Sequence, residues 1–217
     1  LLFDIAQKYN VEKDDVLAGF EYIADTILNN PDTTFIGGGG ESYGFLIGDF
    51  VRDKDANSAC YMIAEITAWA AEQNKTLYQI LKEIYKEFGF YKEGLLSLTK
   101  KGISGSEEIK NMMLRFRTTP PKQILGSDII AIKDYKTSIS KDVRNGNESA
   151  INLPKSDVLQ FLTEDGTKIS IRPSGTEPKI KFYFGIKANL NDIADFEVVN
   201  NELNKRIDKL IKLFSEE

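Results

Sequence analysis

The chain has 217 residues, of which 41 % are hydrophobic and 28 % are charged, and its formal net charge is -5. This composition is ordinary for a globular domain and unlike that of a disordered chain, and no apolar run reaches the roughly 18 residues of a membrane-spanning helix. The acidic balance argues against nucleic acid as a partner, because phosphate backbones recruit clustered lysine and arginine.

The residue inventory excludes several kinds of active site. The sequence contains no histidine, which rules out Ser-His-Asp triads, Cys-His pairs and His-ligated zinc within this chain. Proton transfer would have to use Lys, Asp, Glu or Tyr. The single cysteine, Cys60, lies in an apolar stretch, and we expect a small buried residue there, not a nucleophile. Asp4 interrupts the opening apolar residues, so no signal peptide is predicted and the expected location is cytoplasmic.

The first half alternates predicted helices with short strand-like or glycine-rich stretches. The chain opens with Leu and not Met in a helical pattern, and we expect it to be part of a longer polypeptide. A second predicted helix ends before Pro31, which cannot continue it. Residues 34–36 are predicted to form a strand that runs into the glycines 37–40.

Two further helices carry clear end signals. Asp55 is the predicted N-cap of the third helix, and Thr76 with Gln79 forms a capping box at the start of the fourth. Gly89 supplies the C-terminal stop of the fourth helix. The third helix should bury a stripe of apolar residues, namely Ala59, Met62, Ile63, Ile66 and Trp69. The alternation of helices and strands predicts an α/β domain over residues 1–102.

From residue 103 the pattern changes to an α+β arrangement, which we predict to be a separate domain, residues 103–217. A helix over 107–116 precedes strands at 129–135, 158–164, 167–172 and 179–185, and Asp165-Gly166 signals a two-residue hairpin. Residues 138–150 are polar and are predicted to form a mobile loop. The final helix has one apolar face, formed by Phe196, Val199, Leu203, Ile207, Leu210 and Phe214.

The most informative motif is Arg-Pro-Ser-Gly-Thr-Glu-Pro, residues 172–178, between the last two predicted strands. The Arg172 guanidinium, the hydroxyls of Ser174 and Thr176 and the backbone at Gly175 are groups that bind a phosphate dianion. A bare Ser-Gly-Thr is more often a simple turn. The full run favours the anion site, and strand alternation places Lys179, Lys181 and Tyr183 on the face beside it.

This motif, followed by Lys-Ile-Lys-Phe-Tyr, resembles the phosphate-binding loop in the last domain of the α-D-phosphohexomutases, the phosphoglucomutase and phosphomannomutase family. Gly19-Phe20, residues 41–44, residues 51–55 and residues 157–159 fall in the family's order, so the resemblance covers nearly the whole chain. It implies that residues 1–102 are most of the family's third domain. Residues 103–217 would be the fourth, a TBP-like domain with a four-stranded antiparallel sheet and helices on one face.

The resemblance also implies roles for individual residues. Arg172, Ser174, Gly175 and Thr176 would hold the substrate phosphate, and Glu41 and Ser42 would contact sugar hydroxyls. A basic residue of the segment 51–55 would approach the transferring phosphate, with Lys54 the first candidate and Arg52 the second.

The sugar loop departs from the family at Gly40, which stands where the first of two glutamates is usual. A competing interpretation, that the glycine-rich residues 37–42 cradle a nucleotide, lacks both the Gly-Lys-Ser/Thr ending and the G-x-G-x-x-G register.

The family interconverts hexose 1-phosphate and hexose 6-phosphate through an enzyme phosphoserine, Mg²⁺ and a hexose 1,6-bisphosphate. Neither the serine nucleophile loop nor the aspartate metal loop occurs in this sequence. We therefore expect the chain to supply sugar and phosphate recognition to a longer isomerase, with the N-terminal domains of the same polypeptide as its partner, and to be inactive alone. The alternatives are a non-catalytic phosphosugar- or anion-binding module and a structural domain that binds nothing.

Overall fold

The computed structural model describes residues 1–40, 43–100 and 102–216, without the side chain of Ile103. It contains two compact units, one comprising Leu2–Ile84 and the other Leu1 with the chain from Tyr85 onward. The predicted boundary at residue 102 concerns the two family domains and stays a prediction. None of the helices in these ranges is long and apolar enough to cross a membrane.

The Leu2–Ile84 unit holds most of the predicted helices and one small antiparallel sheet. Its elements are α1 (Leu2–Lys8), α2 (Phe20–Asn29), β1 (Gly37–Gly39), β2 (Phe45–Ile47), α3 (Ala56–Glu72) and the larger part of α4 (Leu77–Phe88). The strand predicted at 34–36 is wrong, because the glycines themselves form β1, with Gly38 opposite Leu46. A Cβ on Gly38 would lie 3.3 Å from the Phe35 ring.

The predicted helix ends are confirmed. The Asp55 carboxylate accepts the backbone N–H groups of Asn57 and Ser58 at 3.0 and 3.2 Å. At the start of α4 the Thr76 N–H donates to Gln79 Oε1 at 2.7 Å and the Gln79 N–H donates to Thr76 Oγ1 at 3.2 Å. Each contact satisfies a backbone N–H that the first helical turn leaves without a partner.

Burial in this unit differs from the sequence prediction. Ile63 and Trp69 of the expected α3 stripe are 58 % and 51 % exposed, and Cys60 is exposed, so both predictions of burial are wrong. Among the described residues of the unit, the buried apolar side chains are Leu46 and Ala70. Periodicity identifies an amphipathic face, but it does not say whether this chain covers that face.

The unit that begins at Tyr85 is built on a wide antiparallel sheet. Its strands are β3 (Phe90–Thr99), β4 (Gln123–Ile124), β5 (Ser127–Asp134), β6 (Ile139–Asp142), β7 (Glu148–Ala150), β8 (Leu159–Thr163), β9 (Lys168–Pro173) and β10 (Lys179–Ala188). The strands lie in the order β3-β10-β9-β8-β5-β6-β7, and β4 pairs with β5. The four predicted strands are the adjacent β10, β9, β8 and β5, so the predicted sheet is the centre of a wider one.

The loop predicted at 138–150 is wrong, because β6 and β7 form a hairpin there. The Asp142 carboxylate accepts two bonds from the Arg144 side chain, at 3.1 and 2.7 Å, and one from its backbone N–H at 2.9 Å. Hydrogen bonds from the Arg144 side chain and backbone lower the pKa of Asp142 to about 2. The polar residues of this segment therefore hold a turn in place, although the polar composition of residues 138–150 had predicted a mobile loop.

Two helices cover one face of the sheet, which confirms the α+β prediction. Alternate sheet residues such as Ile171, Ile180 and Phe182 are fully buried beneath α5 (Ile103–Thr118) and α6 (Phe196–Ser215), the latter following a short 3₁₀ turn at Ile193–Asp195. The predicted apolar face of α6 is confirmed by the burial of Phe196, Leu203, Ile207, Leu210 and Phe214. Burying each such large side chain contributes about 1.5–3 kcal/mol. Polar residues such as Gln160, Ser170 and Lys181 lie on the opposite face of the sheet.

The β8–β9 hairpin differs in detail from its sequence signal. The Thr163 N–H donates to the Thr167 carbonyl at 3.0 Å, so the loop holds three residues and not two. Gly166 occupies its last position with φ 82°, as in the three-residue hairpins that end with a left-handed glycine. This hairpin fixes the register of β8 and β9, and β9 runs directly into the candidate phosphate loop.

Candidate functional site

The candidate phosphate loop connects the adjacent strands β9 and β10 of the large sheet. The Ser174 N–H donates to the Lys179 carbonyl at 2.7 Å and closes the loop at its root. At the other side, the Lys100 N–H donates to the Pro178 carbonyl at 2.9 Å. Backbone hydrogen bonds to β10 and to Lys100, the residue after β3, therefore hold a loop whose tip is exposed to solvent.

The structure brings the four predicted phosphate ligands together in this loop. Arg172, Ser174, Gly175 and Thr176 are all exposed. Ser174 Oγ accepts the backbone N–H groups of Thr176 and Glu177 at 3.4 and 3.3 Å, which draws these donors toward one point. A Cβ on Gly175 would meet nothing within 4 Å, so the glycine leaves free space on the outer side of the loop.

Two cations face each other across the strands at the root of the loop. Arg172 of β9 is directly opposite Lys181 of β10. Both project from the polar face, since their neighbours Ile171, Ile180 and Phe182 are buried on the helix side. Among the described residues neither cation has an ion pair. Like charges directly opposite each other in a sheet repel, and a bound anion would relieve this repulsion.

Hydrogen-bonded polar side chains continue from this pair across the same face. Tyr183 is opposite Ser170 in the register of β10 and β9. Ser170 Oγ accepts a hydrogen bond from Gln160 Nε2 at 3.0 Å, and Gln160 Oε1 accepts one from Tyr135 Oη at 3.2 Å. These side chains keep the face polar beside the loop.

The second group of predicted site residues lies in the Leu2–Ile84 unit. Glu41 and Ser42, the predicted sugar contacts, lie outside the described residues. Among the residues on either side of them, the Gly40 N–H donates to the Gly44 carbonyl at 3.1 Å. A Cβ on Gly40 would meet nothing within 4 Å, so sterics do not require glycine where the family usually has a glutamate.

Lys54 lies at the base of this segment, while Arg52 is exposed nearby in the chain. Lys54 Nζ is 2.9 Å from Asp53 Oδ1 and 5.7 Å from the centre of the Phe20 ring. Two hydrogen bonds from Lys54 lower the pKa of Asp53, and the one from the side chain has a larger effect than the one from the backbone. The ammonium group is thus held between a carboxylate and an aromatic face while 63 % of the side chain stays exposed.

Phe20 connects Lys54 with the segment 40–44, a contact that the sequence did not predict. A Cβ on Gly44 would lie 2.5 Å from a Phe20 ring carbon and 3.5 Å from the Lys54 Cβ, so only glycine fits there. The Asp55 N–H donates to the Phe45 carbonyl at 2.9 Å. The only sign of this contact in the sequence is that a glycine stands next to an aromatic residue.

The described residues form no magnesium site. No group of three or more His, Cys, Asp or Glu side chains in ranges 1–40, 43–100 and 102–216 is arranged to hold a metal ion. The described part of the chain therefore does not fit the Mg²⁺ that the family resemblance implies for the longer protein.

A concave region elsewhere in the larger unit does not contain the site residues. A cavity of about 400 Å³ lies where α5 and α6 end, lined by Phe116, Ile124, Leu213 and Phe214 among others. The phosphate loop is instead an open surface feature of the sheet.

Comparison with known proteins gives consistent matches along the chain. The sequence model described as phosphoglucomutase/phosphomannomutase, alpha/beta/alpha domain III, matches residues 1–88. The model described as the C-terminal domain of phosphoglucomutase/phosphomannomutase matches residues 114–199. These two regions contain all of the candidate site residues.

Curated relatives show the same correspondence. A phosphoglucomutase of Staphylococcus haemolyticus is 38 % identical over 200 residues, covering 92 % of this chain and 35 % of the relative. A phosphoglucomutase of Staphylococcus aureus (strain bovine RF122 / ET3-1) is 41 % identical over 192 residues, covering 88 % of this chain and 35 % of the relative. The chain thus spans about a third of the length of these relatives.

A solved structure shares the fold. The open form of the exocytosis-sensitive phosphoprotein pp63/parafusin from Paramecium, a phosphoglucomutase, matches with a TM-score of 0.57 at 16 % identity. The match covers 96 % of this chain and 36 % of the other.

Proposed function

Because the chain belongs to the phosphoglucomutase/phosphomannomutase family, we propose that it supplies sugar and phosphate recognition to an isomerase that interconverts hexose 1-phosphate and hexose 6-phosphate. The observation that carries this proposal is the pair of cations Arg172 and Lys181, which have no ion pair among the described residues and lie at the root of an exposed loop rich in hydrogen-bond donors. The chain as a whole has a net charge of -5. Two adjacent cations on such a chain therefore indicate a binding site for a specific anion.

The phosphate of the substrate is proposed to bind at the loop. The Arg172 guanidinium can donate two parallel hydrogen bonds to a phosphate, and Lys181 adds a second positive charge from the neighbouring strand. The hydroxyls of Ser174 and Thr176 donate to the remaining phosphate oxygens, and the free space at Gly175 lets the anion approach the backbone.

Residues of the other unit are proposed to act on the sugar and on the transferring group. Glu41 and Ser42 contact sugar hydroxyls, with the carboxylate accepting and the hydroxyl bridging. Lys54, with Arg52 as the second candidate, presents positive charge to the phosphoryl group or to the hydroxyl that accepts it. Phe20 and Asp53 hold Lys54 at the base of the sugar segment.

The proposal includes partners and a location. The enzyme phosphoserine, the Mg²⁺ ligands and the hexose 1,6-bisphosphate chemistry belong to N-terminal domains of the same polypeptide, and the protein works in the cytoplasm. Sequencing the coding region upstream of Leu1 distinguishes this proposal from a non-catalytic phosphosugar-binding module. The isomerase requires a serine nucleophile loop and an aspartate metal loop there.

The binding test uses the chain itself. Titration with inorganic phosphate and with glucose 1-phosphate, followed by calorimetry or NMR, should show weak binding, because an open loop must be ordered on binding. Arg172→Ala should lose about tenfold or more in affinity, since a charge-assisted hydrogen bond contributes about 1.5–3 kcal/mol. Lys181→Gln should bind more weakly while raising the melting temperature without anion, because it removes the repulsion across the strands.

The matched control is Lys209→Gln on the exposed side of α6, which makes the same charge change away from the loop. We expect it to bind both ligands like the wild type. Equal affinity of wild type and Arg172→Ala would contradict the proposed phosphate site.

A further inference from the structure

The charged side chains of the three adjacent strands β8, β9 and β10 are all cationic. These strands contain five lysine and arginine residues and neither aspartate nor glutamate. The five are Lys168, Arg172, Lys179, Lys181 and Lys187. Because the chain as a whole has a net charge of -5, this part of the sheet differs in charge from the rest of the molecule.

All five cations project from the face of the sheet that α5 and α6 leave open. Side chains alternate between the two faces of a sheet, and the intervening residues, such as Ile169, Ile180 and Ile186, are buried on the helix side. Lys133 of β5 adds a sixth cation to this face. It is opposite Gln160, which is itself opposite Ser170 of β9.

Carboxylates do not neutralise this face. Among residues 1–40, 43–100 and 102–216, Lys133 and Lys168 have no ion pair. At the margins of the face, Glu93 of β3 is opposite Gly185, and the Asp142 carboxylate is bound by Arg144. The open face therefore keeps a positive potential that extends well beyond the phosphate loop.

Lys133 and Lys168 lie too far from the loop to touch an anion bound there. Lys168 precedes Arg172 by four residues on β9, which separates their Cα atoms by about 13 Å. Lys133 is two strands across and two residues along from Arg172, or about 12 Å away. The loop continues from Arg172 in the direction away from Lys168. These two lysines can act on a bound anion only through their electric field.

We propose that Lys133 and Lys168 make the open face of the sheet an electrostatic guide, which attracts phosphate dianions and raises the rate at which they reach the loop. The inference rests on the proposed function for the ligand of the loop, and it names residues that act before that ligand is bound. A surface of one charge sign raises the local concentration of ligands of the opposite sign. Charges at the rim of a binding site change the association rate and its salt dependence more than the dissociation rate.

The size of the effect follows from distance and salt. The attraction between one lysine and a phosphate dianion at about 13 Å is screened over about 30 Å at 0.01 M salt and about 8 Å at 0.15 M salt. Neutralising one lysine should lower the association rate about twofold at 0.01 M salt and about 1.2-fold at 0.15 M salt. The two lysines lie on separate strands, so their effects should multiply to about fourfold at low salt.

The test measures association and dissociation rates of glucose 1-phosphate and of inorganic phosphate by NMR line shapes during titration of the full chain. Lys133→Gln/Lys168→Gln should associate with both ligands about fourfold more slowly at 0.01 M NaCl and about 1.5-fold more slowly at 0.15 M NaCl. Its dissociation rates should equal those of the wild type. The matched control is Lys205→Gln/Lys209→Gln, which makes the same charge change on the exposed side of α6. Its association rates should fall by less than about twofold at either salt concentration.

The outcomes separate this inference from the function on which it rests. If the wild type binds glucose 1-phosphate and Lys133→Gln/Lys168→Gln associates with it equally fast at 0.01 M NaCl, the inference is overturned and the proposed function stands. Faster dissociation at an unchanged association rate also overturns the inference, since the lysines would then contact the bound anion. An equal loss in the α6 control overturns it as well, because net charge alone would explain the rates. A wild-type chain that binds neither ligand overturns both.

Discussion

Asp165 shows how single contacts join the hairpin of the large sheet to the final helix. Its Oδ1 accepts the hydroxyls of Thr163 and Thr167 at 2.6 and 2.8 Å and the Thr167 N–H at 3.0 Å. Its other oxygen pairs with Arg206 of α6. Burial alone would raise the pKa of Asp165, but these hydrogen bonds and the Arg206 charge outweigh it and lower the pKa.

This lowered pKa predicts a loss of stability in acid. A carboxyl whose folded pKa lies below its unfolded value of about 3.9 stabilises the fold above that value. The contribution disappears as the pH falls through the folded pKa. Asp165→Asn keeps an acceptor oxygen but loses the charge, so at pH 7 it should lower the free energy of unfolding by about 1 kcal/mol.

Thermal unfolding of wild type and Asp165→Asn between pH 2 and pH 7 measures this effect. The difference in melting temperature should shrink below pH 4. Asp208→Asn, an exposed position on α6, is the control and should show a much smaller difference. A difference for Asp165→Asn that is constant over this range would contradict the role of the charge.

Residue-level predictions from sequence succeeded where the interaction is local. Asp55 and the Thr76–Gln79 pair were identified because a cap needs only its own helix turn. The contact of Phe20 with Gly44 gave no such signal, since it depends on how two separate segments of the chain fold together. The roles of Arg172, Ser174, Gly175 and Thr176 stay predictions, although the structure brings these residues into one loop.

At the scale of elements, the short β4–β5 hairpin has a residue that its turn does not favour. Ile124 pairs with Ser127, so the loop is Leu125-Gly126. Both residues have positive φ, 48° and 83°, as in a type I′ turn, which favours Asn-Gly. Leu125 is 41 % exposed and contributes limited burial.

Leu125→Asn should therefore stabilise the protein. Asparagine tolerates the left-handed region, and the gain should be about 1 kcal/mol, or a rise in melting temperature of roughly 2–4 °C. Leu125→Ala is the matched control, because it removes the same side chain without gaining this tolerance. If Leu125→Asn and Leu125→Ala raised the melting temperature equally, loss of the exposed leucine side chain, and not relief of backbone strain, would explain the change.

Three of the four strands that sequence analysis identified show clear alternation. The strands β8, β9 and β10 alternate fully buried residues with more accessible ones, and this pattern is visible in the sequence. β3 was missed because Gly94 interrupts it. The structure explains the glycine, since a Cβ there would lie 2.6 Å from Ile207 of α6. Ile207 is more than a hundred residues from Gly94 in the sequence, so local sequence patterns cannot reveal this contact.

For the whole molecule, the proposed function predicts binding without turnover. Phosphoryl transfer needs a nucleophile and charge on the transferring group, and this sequence holds no phosphoserine loop. A coupled assay of the chain with glucose 1-phosphate, glucose 1,6-bisphosphate and Mg²⁺ should give only background rates. A full-length phosphoglucomutase relative is the positive control. Turnover by this chain well above background would contradict the division of roles between its domains.

The pairing of β3 with β10 also constrains how the chain acquires its structure during synthesis. Thr99 pairs with Lys179 and Phe90 with Ala188, so all of α5 and the six strands β4 to β9 emerge from the ribosome before any position of β3 can find its partner. Pairings between such distant segments form late because the intervening loop must first be closed. Until then β3 presents an unpaired strand to the cell. Its interior Lys92 and Glu93 place charges on that strand, which disfavours premature association with other chains.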